Sequence, residues 1–211
     1  AYGDDDLKNL VFINLIVIAD TIRPEAKESI DLISNAGIKT IMITGDAKPT
    51  AVNIAKELGL SNEKTIALTH EELATLSDDQ VMKIYPSLSV IARALPQDKS
   101  RLVSIFQNYG LVVGMTGDGV NDALALKKSD VGFALGSGSE VAKDASDIVI
   151  LDDNIFSICK AILYGRTIFK SIRKFIIYQL TVNICALFLS IIGVLVGIST
   201  PITIIQMLWL N

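Results

Sequence analysis

The sequence predicts an open parallel α/β sheet with helices on both faces, followed by transmembrane α-helices. Three observations carry that expectation. Apolar strands alternate with capped helices as far as residue 151, two of the strands run into Thr-Gly-Asp, and no charged residue occurs after Lys174. Such alternation gives parallel strands joined by right-handed crossovers. In such sheets ligands bind beyond the carboxyl ends of the strands.

Taken in order, Leu10–Ile18 is an apolar run suited to a buried strand. Pro24 opens a helix carrying Ala26, Ile30, Leu32 and Ile33, which closes at Asn35-Ala36-Gly37. Lys39–Ile43 reads as a strand and Pro49–Leu58 as a helix closed by Gly59. Thr69 with Glu72, and Ser77 with Gln80, have the spacing of capping boxes and start two short helices. Leu88–Ala92 is a strand, Asp98–Asn108 a helix, Leu111–Met115 a strand and Asn121–Lys128 a helix. Val131–Ala134 and Asp147–Leu151 complete the strands.

From Phe175 to Gly197 the chain is uncharged, and about 20 apolar residues suffice to cross a ~30 Å hydrocarbon core. Arg166, Lys170, Arg173 and Lys174 precede that run, which puts the soluble part in the cytoplasm by the positive-inside rule. Pro201 is placed to open a second helix. From there to Asn211 a helix reaches about 16 Å, so the sequence reads as truncated inside lipid, as its start at Ala1 also implies. Gln179, Thr181, Asn183, Gln206 and Asn211 are polar residues within this apolar end, where amides often bond helix to helix.

The formal net charge of −4 argues against a nucleic-acid surface. Cys159 and Cys185 lack metal-ligand spacing and read as buried apolar residues in a reducing setting. His70, the one histidine, reads as solvent-facing at a helix start. Asp152-Asp153-Asn154 reads as a helix cap, and Gly136-Ser-Gly138 as a turn before a helix.

The chemistry concentrates at strand ends. Lys39–Ile43 runs into Thr44-Gly45-Asp46, and Leu111–Met115 into Thr116-Gly117-Asp118-Gly119-Val120-Asn121-Asp122. Glycines let backbone approach a ligand, and the following helix starts offer free N–H groups to phosphate. Asp118 and Asp122 crowd two carboxylates at one strand end, where they repel unless a cation separates them; Mg²⁺ suits such a site. Lys99 follows another strand, where a lysine neutralises a transferring phosphoryl group. Singly these are ordinary turns, caps and solvated lysines. Their order, each after a strand, is far less common.

With MITGD at 42–46, ARALPQDK at 92–99, MTGDGVNDALALKKSDVG at 115–132 and GSGSEVAKDASDIVILDDN at 136–154, the chain resembles the P-type ATPases within the haloacid-dehalogenase-like phosphotransferases. The resemblance covers essentially the whole chain and implies an ATP-driven pump working through an aspartyl phosphate. It implies that Thr44 and Gly45 hold phosphoryl oxygens, with Asp46 at the nucleotide. Lys99 pairs with the phosphorylated carboxylate, Asp118 binds Mg²⁺, and Asn121 and Asp122 order the site. Arg93, Asp20 and Arg23 supply nucleotide and hinge contacts. Tyr178–Asn183 and Gln206–Asn211 resemble the fifth and sixth membrane helices of plasma-membrane-type calcium pumps. Asn183 and Asn211 then donate amide oxygens to Ca²⁺. Ala186 stands where two-ion pumps carry an acid, which implies one Ca²⁺ per cycle and leaves room for another cation.

The implied organisation is a phosphorylation domain over 1–153 lacking its first strand, a cytoplasmic stalk helix over 154–174, a crossing over 175–197 and the start of another at 201–211. The phosphorylated aspartate of the family's Asp-Lys-Thr-Gly-Thr block does not occur in the sequence. The actuator, nucleotide-binding and remaining membrane parts are therefore expected as partners in one polypeptide, with lipid around it, and this stretch alone is expected to be inactive. The expected location is a multi-pass place in a bacterial plasma membrane. Two rival readings are a soluble phosphatase of the same superfamily, which the uncharged end opposes, and a non-catalytic membrane-anchored binding module.

Overall fold

The computed structural model describes residues 21–198 and Thr203. The predicted strand Leu10–Ile18, Asp20, and the predicted helix from Pro201 with Gln206 and Asn211 lie outside the described residues. Among those described, six strands form two three-stranded sheets, parallel throughout. The first holds β1 (Met42–Ile43), β3 (Leu88–Ala92) and β2 (Ile66–Thr69) in the order β1-β3-β2. The second holds β4 (Gly114–Gly117), β5 (Val131–Leu135) and β6 (Ile148–Ile150) in chain order.

Both sheets are covered on two faces. In the first, every residue of β3 is buried, as a strand between two helix layers must be. Val90 and Ala92 point to α2 (Lys48–Glu57), whose Ala51 and Ala55 lack the bulk to hold it off. Leu88 and Ile91 point the other way, into a core filled from three helices. These are α3 (His70–Ala74) through Leu73, α4 (Asp78–Ile84) through Val81, and α5 (Pro96–Asn108) through Leu102, Ile105 and Phe106. In the second sheet, Met115 and Ala134 pack on α6 (Ala123–Lys128) and α7 (Glu140–Ala145) through Ala125, Leu126 and Ala142. Phe133 and Ile150 face Ile158 of α8 (Ile155–Leu195). Each sheet thus carries a helix layer on either face, and in β3 a register shift at Ser89 lets Leu88 share a side with Ile91.

The predicted capping boxes form. The Thr69 hydroxyl accepts the Glu72 N–H at 3.3 Å while Glu72 accepts the Thr69 N–H at 2.8 Å, and Ser77 and Gln80 do the same. Several bounds differ from expectation. The strand expected at Lys39–Ile43 pairs only over Met42–Ile43 among the described residues. The strand expected at Leu111–Met115 begins at Gly114: Val113 instead gives its N–H to the Asp130 carboxylate at 2.7 Å. The helix expected from Asn121 opens as a 3-10 turn, Val120–Asp122, before α6.

The predicted stalk and crossing are one uninterrupted α8 of 41 residues, about 62 Å long. The change from charged to apolar at Lys174 leaves the helix backbone unbroken, since neither Pro nor Gly stands there. Asn154 caps its start by accepting the Phe156 N–H at 2.8 Å. This helix is long and apolar enough to cross a membrane. Its base is braced by α1 (Pro24–Asn35) at three levels. Arg23 Nη1 donates to Asp153 O at 2.7 Å, Cys159 Sγ to Ser29 O at 3.4 Å, and Arg166 Nη1 to Ala36 O at 2.7 Å.

Candidate active site

The predicted site residues fall at the carboxyl ends of β1, β3 and β4, with Lys99 in the first turn of α5. Backbone bonds sew the first two ends together. Arg93, in the left-handed region at φ 50°, gives its N–H to Asp46 O at 2.9 Å, and Ala94 gives its own to Thr44 O at 2.9 Å. The Thr44 hydroxyl bonds the Asp46 carboxylate at 2.8 Å, closing the Thr44-Gly45-Asp46 loop on itself. Gly45, Asp46 and Arg93 are exposed, and Thr44 is half-buried.

The two sheets meet through charge. Lys99 Nζ lies 2.5 Å from the buried Asp122 carboxylate, whose other oxygen accepts the N–H groups of Asp118 and Gly119 at 3.3 Å each. Gly117 is required for this. A Cβ there would stand 2.5 Å from Asp122 Cβ, inside any permitted contact.

The cation that meets Asp122 among the described residues is the Lys99 ammonium. Asp118 is left exposed, with no hydrogen bond to its carboxylate among the described residues. No cluster of three or more His, Cys, Asp or Glu side chains occurs among the described residues. The donor set therefore fits Mg²⁺ as one hard carboxylate with phosphate and water completing the shell. It does not fit an all-protein cage. Asn121 is exposed beside Asp118.

Some contributors were not foreseen. Gly138 lets the turn after β5 lie against the Asp118 backbone, where a Cβ would come within 2.9 Å of Asp118 O. Ser139 then gives its N–H to that same oxygen at 2.7 Å. The glycine spacing at Gly136 and Gly138 was the available signal. His70, expected to face solvent, instead bonds the buried Asp98 carboxylate through Nδ1 at 2.7 Å. Asn183 stands apart from all of these on the exposed apolar part of α8, about 42 Å along the helix from its start.

A family model for haloacid dehalogenase-like hydrolases matches residues 4–130. The chain is 44% identical to "Calcium-transporting ATPase 2" of Schizosaccharomyces pombe over 99% of its own length and 16% of that protein's. It is 44% identical to "Calcium-transporting ATPase 1" of Lactococcus lactis over 98% of its length and 24% of that protein's. Among solved structures it resembles a zinc-transporting PIB-type ATPase in its E2.Pi state, with a TM-score of 0.63 and 26% identity, over 86% of this chain and 25% of that one. The chain thus spans about a quarter or less of the relatives it matches. With the family matched across more than half its residues, this chain belongs to the haloacid dehalogenase-like hydrolases, in the company of the P-type ATPases.

Proposed function

We propose that this chain works as part of an ATP-driven cation pump, with Ca²⁺ as the transported ion and an aspartyl phosphate, formed elsewhere in the polypeptide, as the intermediate. The observation that carries the reading is α8. One helix begins against the sheet that bears Asp118 and runs on into a stretch long and apolar enough to cross a membrane. A soluble phosphatase has no use for such a helix.

The chain's own residues divide the work. Thr44 and Gly45 bind phosphoryl oxygens through hydroxyl and backbone N–H, and Asp46, Arg93 and Asn121 contact the nucleotide from the exposed rim. Lys99 supplies fixed positive charge to the transferring group, and Asp122 aims it before the phosphate arrives. Asp118 is the residue to hold Mg²⁺, which supplies charge neutralisation to the phosphate when bound. Asn183, with Asn211, offers amide oxygen to Ca²⁺, a hard cation. The soluble part lies in the cytoplasm, with its partners the actuator, nucleotide-binding and other membrane segments. The chain alone has no ATPase activity on this reading.

The relatives' names support Ca²⁺, while the zinc-transporting neighbour shows that the fold does not choose the ion. The deciding experiment measures phosphoenzyme from labelled ATP in membranes holding the full-length protein, with Ca²⁺ added or chelated. Acid-stable label that requires Ca²⁺ is expected. Label indifferent to Ca²⁺ refutes the ion, and no label under any ion refutes the pump.

A further inference from the structure

Lys99 stands on the first turn of α5, so whatever fixes that turn aims its ammonium. The turn opens at Leu95, whose own side chain cannot cap a helix. The cap comes from Asp98, one residue before Lys99: its Oδ2 accepts the Leu95 N–H at 2.8 Å. Asp98 is buried, and the same oxygen meets His70 Nδ1 at 2.7 Å. An ionised carboxylate only accepts, so the proton in the second bond is the one on Nδ1, and His70 donates. A buried carboxylate needs such donors, since an unsatisfied one is costly.

The geometry points to His70 as a positioning residue for Lys99: its imidazole locks the Asp98 carboxylate that fixes the first turn of α5, and so holds Nζ on Asp122. A plain packing role is a poor account of this bond. Arg101 already ties α3 to α5, donating to Leu73 O at 3.1 Å and to Leu76 O at 2.7 Å. The other charged side chains of α3 look elsewhere: Glu72 pairs with Lys48 of α2 at 2.7 Å, and Glu71 is exposed. What His70 adds is local to Asp98, and Asp98 adjoins Lys99.

The test uses the full-length protein in membranes, with variants His70→Phe, His70→Asn and Arg101→Ala. Two quantities are read: acetylation of Lys99 by an amine-directed succinimidyl ester, mapped by mass spectrometry, and the rate of phosphoenzyme formation from labelled ATP. His70→Phe keeps a ring but has no donor, so Lys99 should acetylate faster. Phosphorylation should slow about tenfold at saturating ATP, with the half-saturating ATP concentration unchanged. His70→Asn places an amide N–H the same number of bonds from Cα and should restore both. Arg101→Ala loosens α3 without touching Asp98 and should leave Lys99 labelling as it was. Unchanged labelling in His70→Phe, or an Asn variant as impaired as Phe, overturns the inference. Only the rate arm rests on the pump reading. If the unaltered protein forms no phosphoenzyme, that reading fails, and the labelling still decides the role of His70.

Discussion

The two glycines flanking Asp118 should respond very differently to a single methyl group. At Gly117 an added Cβ would meet Asp122 Cβ at 2.5 Å, Cγ at 2.8 Å and Oδ2 at 2.9 Å. Ordinary carbon contacts begin near ~3.5 Å, so the side chain must move by about 1 Å at its root, where no rotamer change helps. Moving it drags the carboxylate off Lys99 and off two backbone N–H groups. Overpacking of this kind costs about 1–3 kcal/mol. At Gly119 the nearest atoms to an added Cβ lie at 3.7 and 3.8 Å, and φ is −102°, which any residue adopts. Gly119→Ala should therefore stay within ~0.5 kcal/mol of the parent. Hydrogen exchange of the peptide spanning 114–128, in the full-length protein, reads the difference as local opening. Gly117→Ala should exchange roughly 5- to 150-fold faster there, the ratio that ~1–3 kcal/mol produces, and Gly119→Ala at the parental rate. Equal protection in both variants, or greater loss in Gly119→Ala, refutes the argument from close approach.

Three further outcomes are expected. Asp118→Asn should abolish phosphoenzyme formation yet leave exchange protection intact, because the exposed carboxylate holds nothing else in place among the described residues; loss of protection contradicts this. Acidification should weaken the surface clasps. Hydrogen bonds from Lys48 hold Glu72 below the usual glutamate range, and bonds from Ser157 and Ser137 do the same for Asp152 and Asp153. Depressed carboxylates contribute above their unfolded values and lose that contribution as pH falls through the folded ones. Thermal stability should therefore drop below pH ~4.5, with Lys48→Ala removing a share well under ~1 kcal/mol, and a pH-independent Lys48→Ala difference would count against the pair. Burial pushes the Cys159 thiol up, so iodoacetamide should label it slowly at neutral pH and quickly after denaturation; fast labelling of the folded protein would disprove that burial.

How much of this was legible in the sequence depended on how far apart the cooperating residues lie. Caps at Thr69, Ser77 and Asn154 were readable because donor and acceptor sit within three residues, and the alternation of apolar strands with capped helices announced a sheet covered on both faces. The Thr-Gly-Asp turns were readable because glycine and aspartate leave few conformations open. The partner of Asp122 was not, because Lys99 arrives from another sheet, and net repulsion between two acids looks the same whether a lysine or a metal relieves it. Nor was the His70–Asp98 bond: a histidine at a helix start is ordinarily solvated, and only the fold brings it to a carboxylate 28 positions away. The start of β4 escaped for a similar reason. Apolar residues 111–113 looked like strand, yet Asp130 takes the Val113 N–H and postpones pairing to Gly114.

The way α8 is attached matters for any coupling between the strand ends and the membrane. Its first turns are fixed on one side by Phe133 of β5 and Ile150 of β6, and on another by α1. The three bonds to α1 are spread along it: Arg23 reaches the loop before α8, Cys159 meets the middle of α1 at Ser29, and Arg166 caps its last carbonyls at Ala36. A cation at a helix C-terminus is favoured by the helix dipole as well as by the hydrogen bond, so Arg166 reinforces α1 while fastening it. From Arg166 onward most of α8 is exposed, with no comparable brace among the described residues. A continuous helix clamped at its base transmits tilt rather than local distortion. A tilt of β5 and β6 at that base would therefore reach the level of Asn183 enlarged along the ~42 Å between the start of α8 and that residue.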